Sequence, residues 1–514
     1  MTDTIFTTWP MLATGATTAR KMPDRLADIK NVKDFGALGN SNITASIGTD
    51  DTAAIQSCVD AVSAAGGGTI YFPPGCYKLT SAITFMNNVC GYVFLGAGTA
   101  AASSGVQGGS QIVGNYAGYL FDRNQINSSG AVVRISNLGF RNGSSSGSGI
   151  RLIGVNGSII EHCEIQAGVF GIQLGGVAAP ASATFTANSS GTTLTVSGIT
   201  GTIDSGTFPC PITGTGVPAA TAIIALGTGT GGNGTYITDN ITTCSGSTVS
   251  THPNAPTAFC TIVEGCTIGG LGTYNIVPAS SFFGVGVQLS AESGIRNCHI
   301  NNWGVAIRGY GGGNWVRDCQ MESNTTGVKF GTDGAGNNFS VVSGVISGCS
   351  FEGNVTSVHL WSAKQIVVEG IQIGGEVDGS HNSTYGVLID GCDDIKIHAV
   401  VASGTYVTAG FYLGGGAGAL NRIRATNCDG SLSKDSSVNY SCITAVQCKN
   451  FPVLSCTLAQ LNTVIAAGDV NVGERRLIND SNTVLASQVY NATVTGGVSN
   501  LASVWYDGTT VRYG

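Results

Sequence analysis

The sequence predicts an all-β protein, specifically a right-handed parallel β-helix in which each repeat forms one coil of a solenoid. Composition is the first observation: glycine supplies 77 of 514 residues, about twice its usual share, and charged residues supply 10%. Hydrophobic residues reach 42%, which suffices for a buried core and excludes general disorder. The glycines keep no three-residue period, which excludes collagen. No helical pattern separates the strand-like segments, so a βαβ architecture is also excluded.

Two short motifs that alternate along the chain are the second observation. The first is apolar, any two residues, cysteine, any residue, apolar, with its cysteine at Cys163, Cys266, Cys298, Cys319 and Cys349. The second is small, apolar, polar, apolar, beginning at Gly286, Ala306, Gly327, Ser357, Gly386 and Gly410. Repeats of about 20–30 residues predict stacked coils, with equivalent side chains about 4.8 Å apart. One cysteine per coil lacks the pairing of a metal site, so buried small thiols are expected there.

The predicted elements follow in order. Residues 1–30 form a short attachment segment, and residues 31–176 form the first part of the β-helix. Residues 51–64 are expected to form a helix that caps the first coil, because Ile55, Cys58, Val59 and Val62 make one apolar stripe after Asp50 or Asp51. Residues 177–258 break the repeat and predict an inserted small β domain. Residues 259–470 form the main β-helix, and residues 471–514 form a C-terminal β cap or trimerisation segment.

Charge and targeting features exclude several functions. The net charge is −7 and no basic run is present, so we expect no nucleic-acid partner. No stretch of 18 apolar residues exists, so we expect no membrane insertion. The N-terminus has no signal-peptide pattern, and most of the 16 cysteines are expected to be reduced. The glycine runs lack the strand–helix context of phosphate loops, and neither a metal nor a cofactor is expected.

The opening of the chain carries a family resemblance. NVKDFGALG (31–39), GTDDTAAIQ (48–56) and GGGTIYFPPGCY (66–77) resemble the start of pectate-lyase-like β-helix proteins, and the stretch before them resembles bacteriophage tail spikes. The resemblance implies a homotrimeric tail spike or tail fibre that binds a bacterial surface polysaccharide and commonly cleaves it. It implies localisation in the virion, synthesis in the host cytoplasm, and attachment to the phage tail, its baseplate or an adaptor protein.

Paired carboxylates are the catalytic candidates, since glycoside hydrolysis needs one acid and one base or nucleophile. Glu322 and Glu352 each follow a repeat cysteine by three residues, so they are predicted to be neighbours on adjacent coils, and Asp318 is expected to assist. Like charges that close would separate the two pKa values. Glu369, Asp394 and Glu164 are reserve candidates. A structural interpretation competes, because both glutamates precede asparagines that satisfy turn backbone.

A substrate groove is predicted beside these carboxylates. The polar positions of the second motif give an outward row that includes Arg308, Lys329 and His359. Cations suit acidic sugars, and aromatic faces stack on sugar rings. The predicted substrate-binding residues are therefore Arg308, Lys329, His359, Trp303, Trp315 and Arg317. A solvated strand face with incidental aromatics is the alternative.

Three functions remain open from the sequence. The first is a polysaccharide depolymerase that acts as a glycoside hydrolase. The second is a glycan-binding tail fibre or adhesin without catalysis, and the third is a polysaccharide lyase.

Overall fold

The structure is a computed structural model. It describes residues 10–11, 17–21, 28–85, 91–99, 108–124, 131–174, 183–203, 210–218, 221–238, 240–251, 260–271, 284–331, 341–375, 383–415, 420–438, 443–446, 448–450, 455–456, 475–481, 500–506 and 511–513. The chain divides into two compact units, Met1–Leu271 with Val287–Ser293, and Gly272–Gly286 with Gly294–Gly514. The division falls within strand Val285–Leu289.

The first unit contains three parallel sheets, which the chain visits in turn. Sheet 1 has strands Ile29–Asn31, Gly67–Phe72, Gly91–Gly96, Val132–Ser136, Ile159–Glu161 and Ile262–Glu264. Sheet 2 has strands Gly75–Leu79, Ser110–Gly114, Gly139–Asn142, Glu164–Ala167 and Thr267–Gly270. Sheet 3 has strands Ile83–Thr84, Gly118–Asn124, Gly147–Ile153 and Phe170–Gln173. A short antiparallel pair, Pro10–Met11 with Arg20–Lys21, precedes them.

The predicted capping helix is present as Thr52–Ala64, after a 3-10 turn at Val32–Phe35. It buries the predicted stripe of Ile55, Cys58, Val59 and Val62. The two aspartates at the helix start have different partners. Asp50 Oδ1 accepts the Thr52 amide at 3.0 Å. The buried Asp51 carboxylate accepts the amides of residues 38 and 39 at 2.7 and 3.0 Å. Asp50 therefore binds the first residue of the helix, and Asp51 ties the helix start to the preceding loop.

The inserted β domain is a closed antiparallel barrel of six strands. Their order is Thr184–Ser190, Thr193–Thr200, Gly234–Thr238, Ala222–Leu226, Cys210–Gly214 and Ser247–Thr251. Its core includes Phe185, Leu194, Ile223, Tyr236 and Val249, all nearly inaccessible to solvent. Closure removes the unpaired strand edges that a six-stranded open sheet would expose.

The second unit repeats the three-sheet coil and confirms the parallel β-helix. Sheet 1 contains Gly294–Arg296, Trp315–Arg317, Val345–Ser347, Lys364–Glu369, Asp393–His398, Asn421–Thr426 and Ile443–Val446. Sheet 2 contains His299–Asn301, Gln320–Glu322, Ser350–Glu352, Gln372–Gly375 and Val401–Gly404. Sheet 3 contains Val305–Gly309, Thr326–Gly331, Thr356–Trp361, Tyr385–Asp390, Ala409–Gly414 and Leu432–Lys434. A small sheet of Ser455–Cys456, Arg475–Ser481, Asn500–Tyr506 and Val511–Tyr513 follows.

Stacked apolar side chains form the core of the second unit. Sheet 3 contributes one inward ladder in continuous register, Ile307, Val328, Val358, Val387 and Phe411, each at most 2% exposed. Burying one such side chain stabilises the fold by about 1.5–3 kcal/mol. The repeat cysteines form a second buried column of free thiols, as the spacing predicts. In the first unit, burial raises the pKa of the Cys163 thiol well above its usual range.

Tight corners join the sheets. Between sheets 1 and 2 the corner residue is left-handed, with φ of 53° at Asn297, 51° at Asp318 and 64° at Gly348. Between sheets 2 and 3 the left-handed residue is Ser323 (φ 55°) or Gly353 (φ 60°). Asparagine, aspartate and glycine tolerate this conformation best, which explains their recurrence one residue before Cys266, Cys298, Cys319 and Cys349, whereas His162 (φ 50°) takes this position before Cys163.

Candidate functional site

The two predicted glutamates lie in register on sheet 2 of the second unit. Glu322 pairs with Asn301 on one side and with Glu352 on the other. Each glutamate ends its strand, and each is followed by a left-handed corner residue and then by a buried asparagine. The repeat spacing therefore places two carboxylates on neighbouring strands, about 4.8 Å apart at the backbone.

A histidine that the sequence does not single out contacts this pair. His299 Nε2 lies 2.9 Å from Glu322 Oε2, with side-chain exposures of 36% and 16%. His299 is paired in register with Gln320, so it reaches Glu322 along the diagonal between neighbouring strands. Such diagonal contacts are invisible to an alignment of equivalent repeat positions, which is why His299 was missed.

The asparagines after the glutamates are built into the corner. Asn354 donates to the Met321 carbonyl at 2.9 Å, and its Oδ1 accepts the backbone and side-chain amides of Asn324 at 3.0 Å each. Asn324 Oδ1 accepts the backbone amide of Trp303 at 3.0 Å. The corner interpretation of the Glu-x-Asn segments is therefore correct for the asparagines, while the glutamates stay on the outer face.

Asp318 lies away from the carboxylate pair. It occupies the left-handed corner before strand Gln320–Glu322, and its amide donates to the Ser347 carbonyl at 3.0 Å. Four residues of nearly extended chain separate it from Glu322, which is about 13 Å. The next corner residue is Gly348, where an added Cβ would lie 2.2 Å from Asp318 Oδ1. Gly348 thus leaves room for this carboxylate at the corner.

The predicted cationic row lies on sheet 3. Arg308, Lys329 and His359 are paired in register on three consecutive strands. Lys329 Nζ lies 5.9 Å from the ring centre of Trp361, and the His359 ring meets Trp361 edge-on at 5.4 Å. His359 Nε2 also lies 3.3 Å from Asp390 Oδ2, with side-chain exposures of 13% and 9%. Trp361 is one of the aromatic residues that the sequence places near this row, whereas Asp390 is an addition that the sequence does not identify.

The remaining predicted groove residues do not lie together on one face of the fold. Trp303 is fully buried, so its prediction as a sugar-stacking residue is wrong: the ring belongs to the core. Trp315 and Arg317 lie on sheet 1, with the guanidinium carbon of Arg317 5.6 Å from the Trp315 ring centre. Further along sheet 1, a depression of about 200 Å³ is lined by Ser343, Gln365, Ile366, Val367, Asp394 and Lys396. The single predicted groove is thus distributed over three sheets.

The described residues match neither the pattern of a metal site nor that of a membrane-spanning helix. Within the described ranges, no three side chains of His, Cys, Asp or Glu converge in the manner of metal ligands. The described helices include none that is long and apolar enough to span a bilayer.

Comparison with known families concerns mainly the start of the chain. Residues 29–131, about a fifth of the sequence, match the family described as rhamnogalacturonase A/epimerase, pectate lyase-like. Within residues 29–131 the chain is similar to pectate-lyase-like proteins. This match confirms the resemblance carried by the motifs at residues 31–39, 48–56 and 66–77.

Curated relatives match over short segments. Mannuronan C5-epimerase AlgE3 of Azotobacter vinelandii is 48% identical over 66 residues, which is 12% of this chain and 3% of that protein. Alginate lyase 7 of the same organism is 52% identical over 50 residues, 10% of this chain and 5% of that protein. The matched part thus spans less than a tenth of the length of these relatives.

Solved structures resemble the chain at low identity and with TM-scores below 0.5. The AlgE6 A-module of Azotobacter vinelandii has a TM-score of 0.45 at 13% identity, covering 82% of this chain and 95% of that one. The tailspike gp49 of the Acinetobacter baumannii phage Fri1, a capsular polysaccharide depolymerase, has a TM-score of 0.42 at 11% identity, covering 98% and 81%. The Streptococcus pneumoniae surface adhesin PfbA has a TM-score of 0.40 at 10% identity, covering 94% and 98%.

Proposed function

We propose that this protein binds and depolymerises a polysaccharide by glycoside hydrolysis on sheet 2 of its second unit. The observation that carries the proposal is the register of Glu322 and Glu352, which supplies the two carboxyl groups that the reaction needs. His299 Nε2 lies 2.9 Å from Glu322 Oε2, so a neighbouring imidazole is in place to hold the Glu322 carboxyl group in a fixed orientation. Glu322 is therefore proposed as base or nucleophile, and the exposed Glu352 as the proton donor to the leaving oxygen.

The test is digestion of purified capsules, O-antigens and exopolysaccharides, with reducing ends and product masses as readouts. Glu322→Gln and Glu352→Gln should each lower the rate by about 10²–10⁴-fold, the usual contribution of general acid–base groups. Glu292→Gln is the matched control, because it removes an exposed carboxylate elsewhere without altering the sheet 2 pair. Circular dichroism should be unchanged in all three variants.

The outcome of that digestion distinguishes the proposed hydrolase from the other candidate functions. Full activity in the double glutamine variant contradicts the proposed residues. Products with an unsaturated end that absorb in the ultraviolet identify a lyase instead of a hydrolase. Binding without any products across the glycan panel identifies a tail fibre or adhesin.

We further propose that the protein acts as a homotrimeric phage tail spike, attached to the tail, its baseplate or an adaptor. The support is the resemblance of the opening segments to β-helix tail spikes. Sedimentation equilibrium should give three times the chain mass of 52.1 kDa, and immunogold labelling should mark the virion tail. A monomer in solution would contradict the trimer.

A further inference from the structure

Two cysteines follow the last two strands of sheet 1 that the structure describes. Strands Asn421–Thr426 and Ile443–Val446 are paired in parallel, and Cys428 and Cys448 each come two residues after the end of one of them. The register continues beyond the strands, because the Lys449 amide donates to the Cys428 carbonyl at 2.8 Å. Cys428 and Cys448 therefore occupy paired positions on neighbouring coils.

The two side chains are placed where a covalent link needs them. Paired residues on neighbouring strands lie about 4.8 Å apart, and a disulfide joins residues whose Cα atoms are about 4.4–6.8 Å apart. The side chains of Cys428 and Cys448 are in hydrogen-bonding contact, and both are thiols in the structure. The backbone register therefore suits a disulfide without a shift of either strand.

Exposure distinguishes this pair from the other stacked cysteines. Cys298, Cys319 and Cys349 also follow one another on neighbouring coils, but each is at most 3% exposed. Cys428 is 1% exposed, whereas Cys448 is only half-buried. Thiol–disulfide exchange requires access of the oxidant to a sulfur atom. A small-molecule disulfide in solution therefore reaches Cys448 and is kept from the buried column.

We propose that Cys428 and Cys448 form a reversible disulfide in an oxidising environment, with oxidised glutathione as one oxidant of the required class. The Cys448 thiolate attacks one sulfur of oxidised glutathione and releases the first glutathione thiol. The Cys428 sulfur then attacks the Cys448 sulfur and releases the second. The cysteines lose two electrons and two protons, and the glutathione disulfide takes them up as two thiols. In a reducing cytoplasm the pair stays reduced, so the bond forms after release.

The bond would act on the edge of sheet 1. Within the described part of the chain, Ile443–Val446 is the outermost strand at this end, and four of its residues pair with Asn421–Thr426. Short edge strands open locally at low cost. A link that closes a loop of about 20 residues restricts the open state, so it keeps the strand in place. The site uses none of the residues of the proposed hydrolysis.

The experiment maps the bond in the full-length protein after incubation with oxidised or with reduced glutathione. Remaining thiols are alkylated before unfolding, and trypsin digestion follows without reduction. Oxidised protein should give peptide 425–434 linked to peptide 435–449. The second peptide also contains Cys442, so Cys442→Ser is the matched control and should keep the link. Cys448→Ser should lose it, and reduced glutathione should reverse it.

Hydrogen exchange of the Ile443–Val446 amides gives a second readout. Oxidation should slow this exchange at least about tenfold in the wild type and leave it unchanged in Cys448→Ser. Four results overturn the proposal: no linked peptide in the oxidised wild type, a link that persists in Cys448→Ser, a link that disappears in Cys442→Ser, or glutathione that stays attached to Cys448. Unaltered exchange in the linked protein would overturn the stabilisation of the edge strand.

Discussion

Replacing Asn354 with alanine tests how the corner between sheets 2 and 3 is stabilised. Asn354 is 1% exposed, donates to the carbonyls of Met321 and Glu352, and accepts two amides of Asn324. Alanine leaves the Asn324 backbone amide without its partner, whereas the Met321 carbonyl lies on a strand that is paired on both sides. An unsatisfied buried donor costs about 1–3 kcal/mol, so the expected loss in the free energy of unfolding is about 1–3 kcal/mol.

Urea unfolding measures this loss, followed by circular dichroism and tryptophan fluorescence. Fluorescence reports the corner directly, because the amide of buried Trp303 bonds to Asn324. Ser350→Ala is the matched control: it lies exposed on the strand that leads to Asn354, and its substitution should change stability by less than about 0.5 kcal/mol. A loss in Asn354→Ala no larger than in this control would refute the account of the corner.

Two further predictions concern charge and backbone shape. Partial burial alone would raise the pKa of Glu161, but hydrogen bonds from Ser136 and Arg134 lower this pKa overall. The contribution of Glu161 to stability is therefore fully present above the ordinary pKa value of 4.5. It is lost as the pH falls through the lowered pKa. The stability difference between wild type and Glu161→Gln should therefore shrink in urea titrations as the pH falls from 7 to 3, and a constant difference would contradict the assignment. Gly331→Ala should lower the melting temperature, because Gly331 has φ 117° and an added Cβ would lie 1.7 Å from the Trp361 carbonyl oxygen; an unchanged melting curve would contradict that close approach.

The architecture was predictable because solenoid repeats expose their own geometry. The cysteine motif marks the position after a left-handed corner, and the glycine-led motif marks the strand that enters the core, so residue spacing alone fixes which side chains stack. The apolar stripe of the helix at Thr52–Ala64 was equally readable. Aligned repeats predict which residues are paired in register on neighbouring coils, and the pairing of Glu322 with Glu352 is one example.

The repeat spacing did not predict which side chains lie together on one face of the β-helix. Residues close in sequence turn onto different sheets within one coil, so Arg317 on sheet 1 and Glu322 on sheet 2 do not share a surface despite their five-residue separation. Trp303 carried a usable signal that was overlooked. It lies five residues after Cys298, as Asn324 and Asn354 lie five residues after Cys319 and Cys349, and that position is buried in all three coils.

The Glu-x-Asn segments combine a structural and a proposed chemical role within three residues. The asparagine amides fix the strand ends, so Glu322 and Glu352 share a register whether or not they react. Two sets of variants separate a catalytic role of these carboxylates from an architectural one. Asparagine variants should lower the unfolding midpoint, whereas glutamine variants should keep it and remove the products. A glutamine pair that lowers the midpoint and leaves product formation intact would make both carboxylates structural groups.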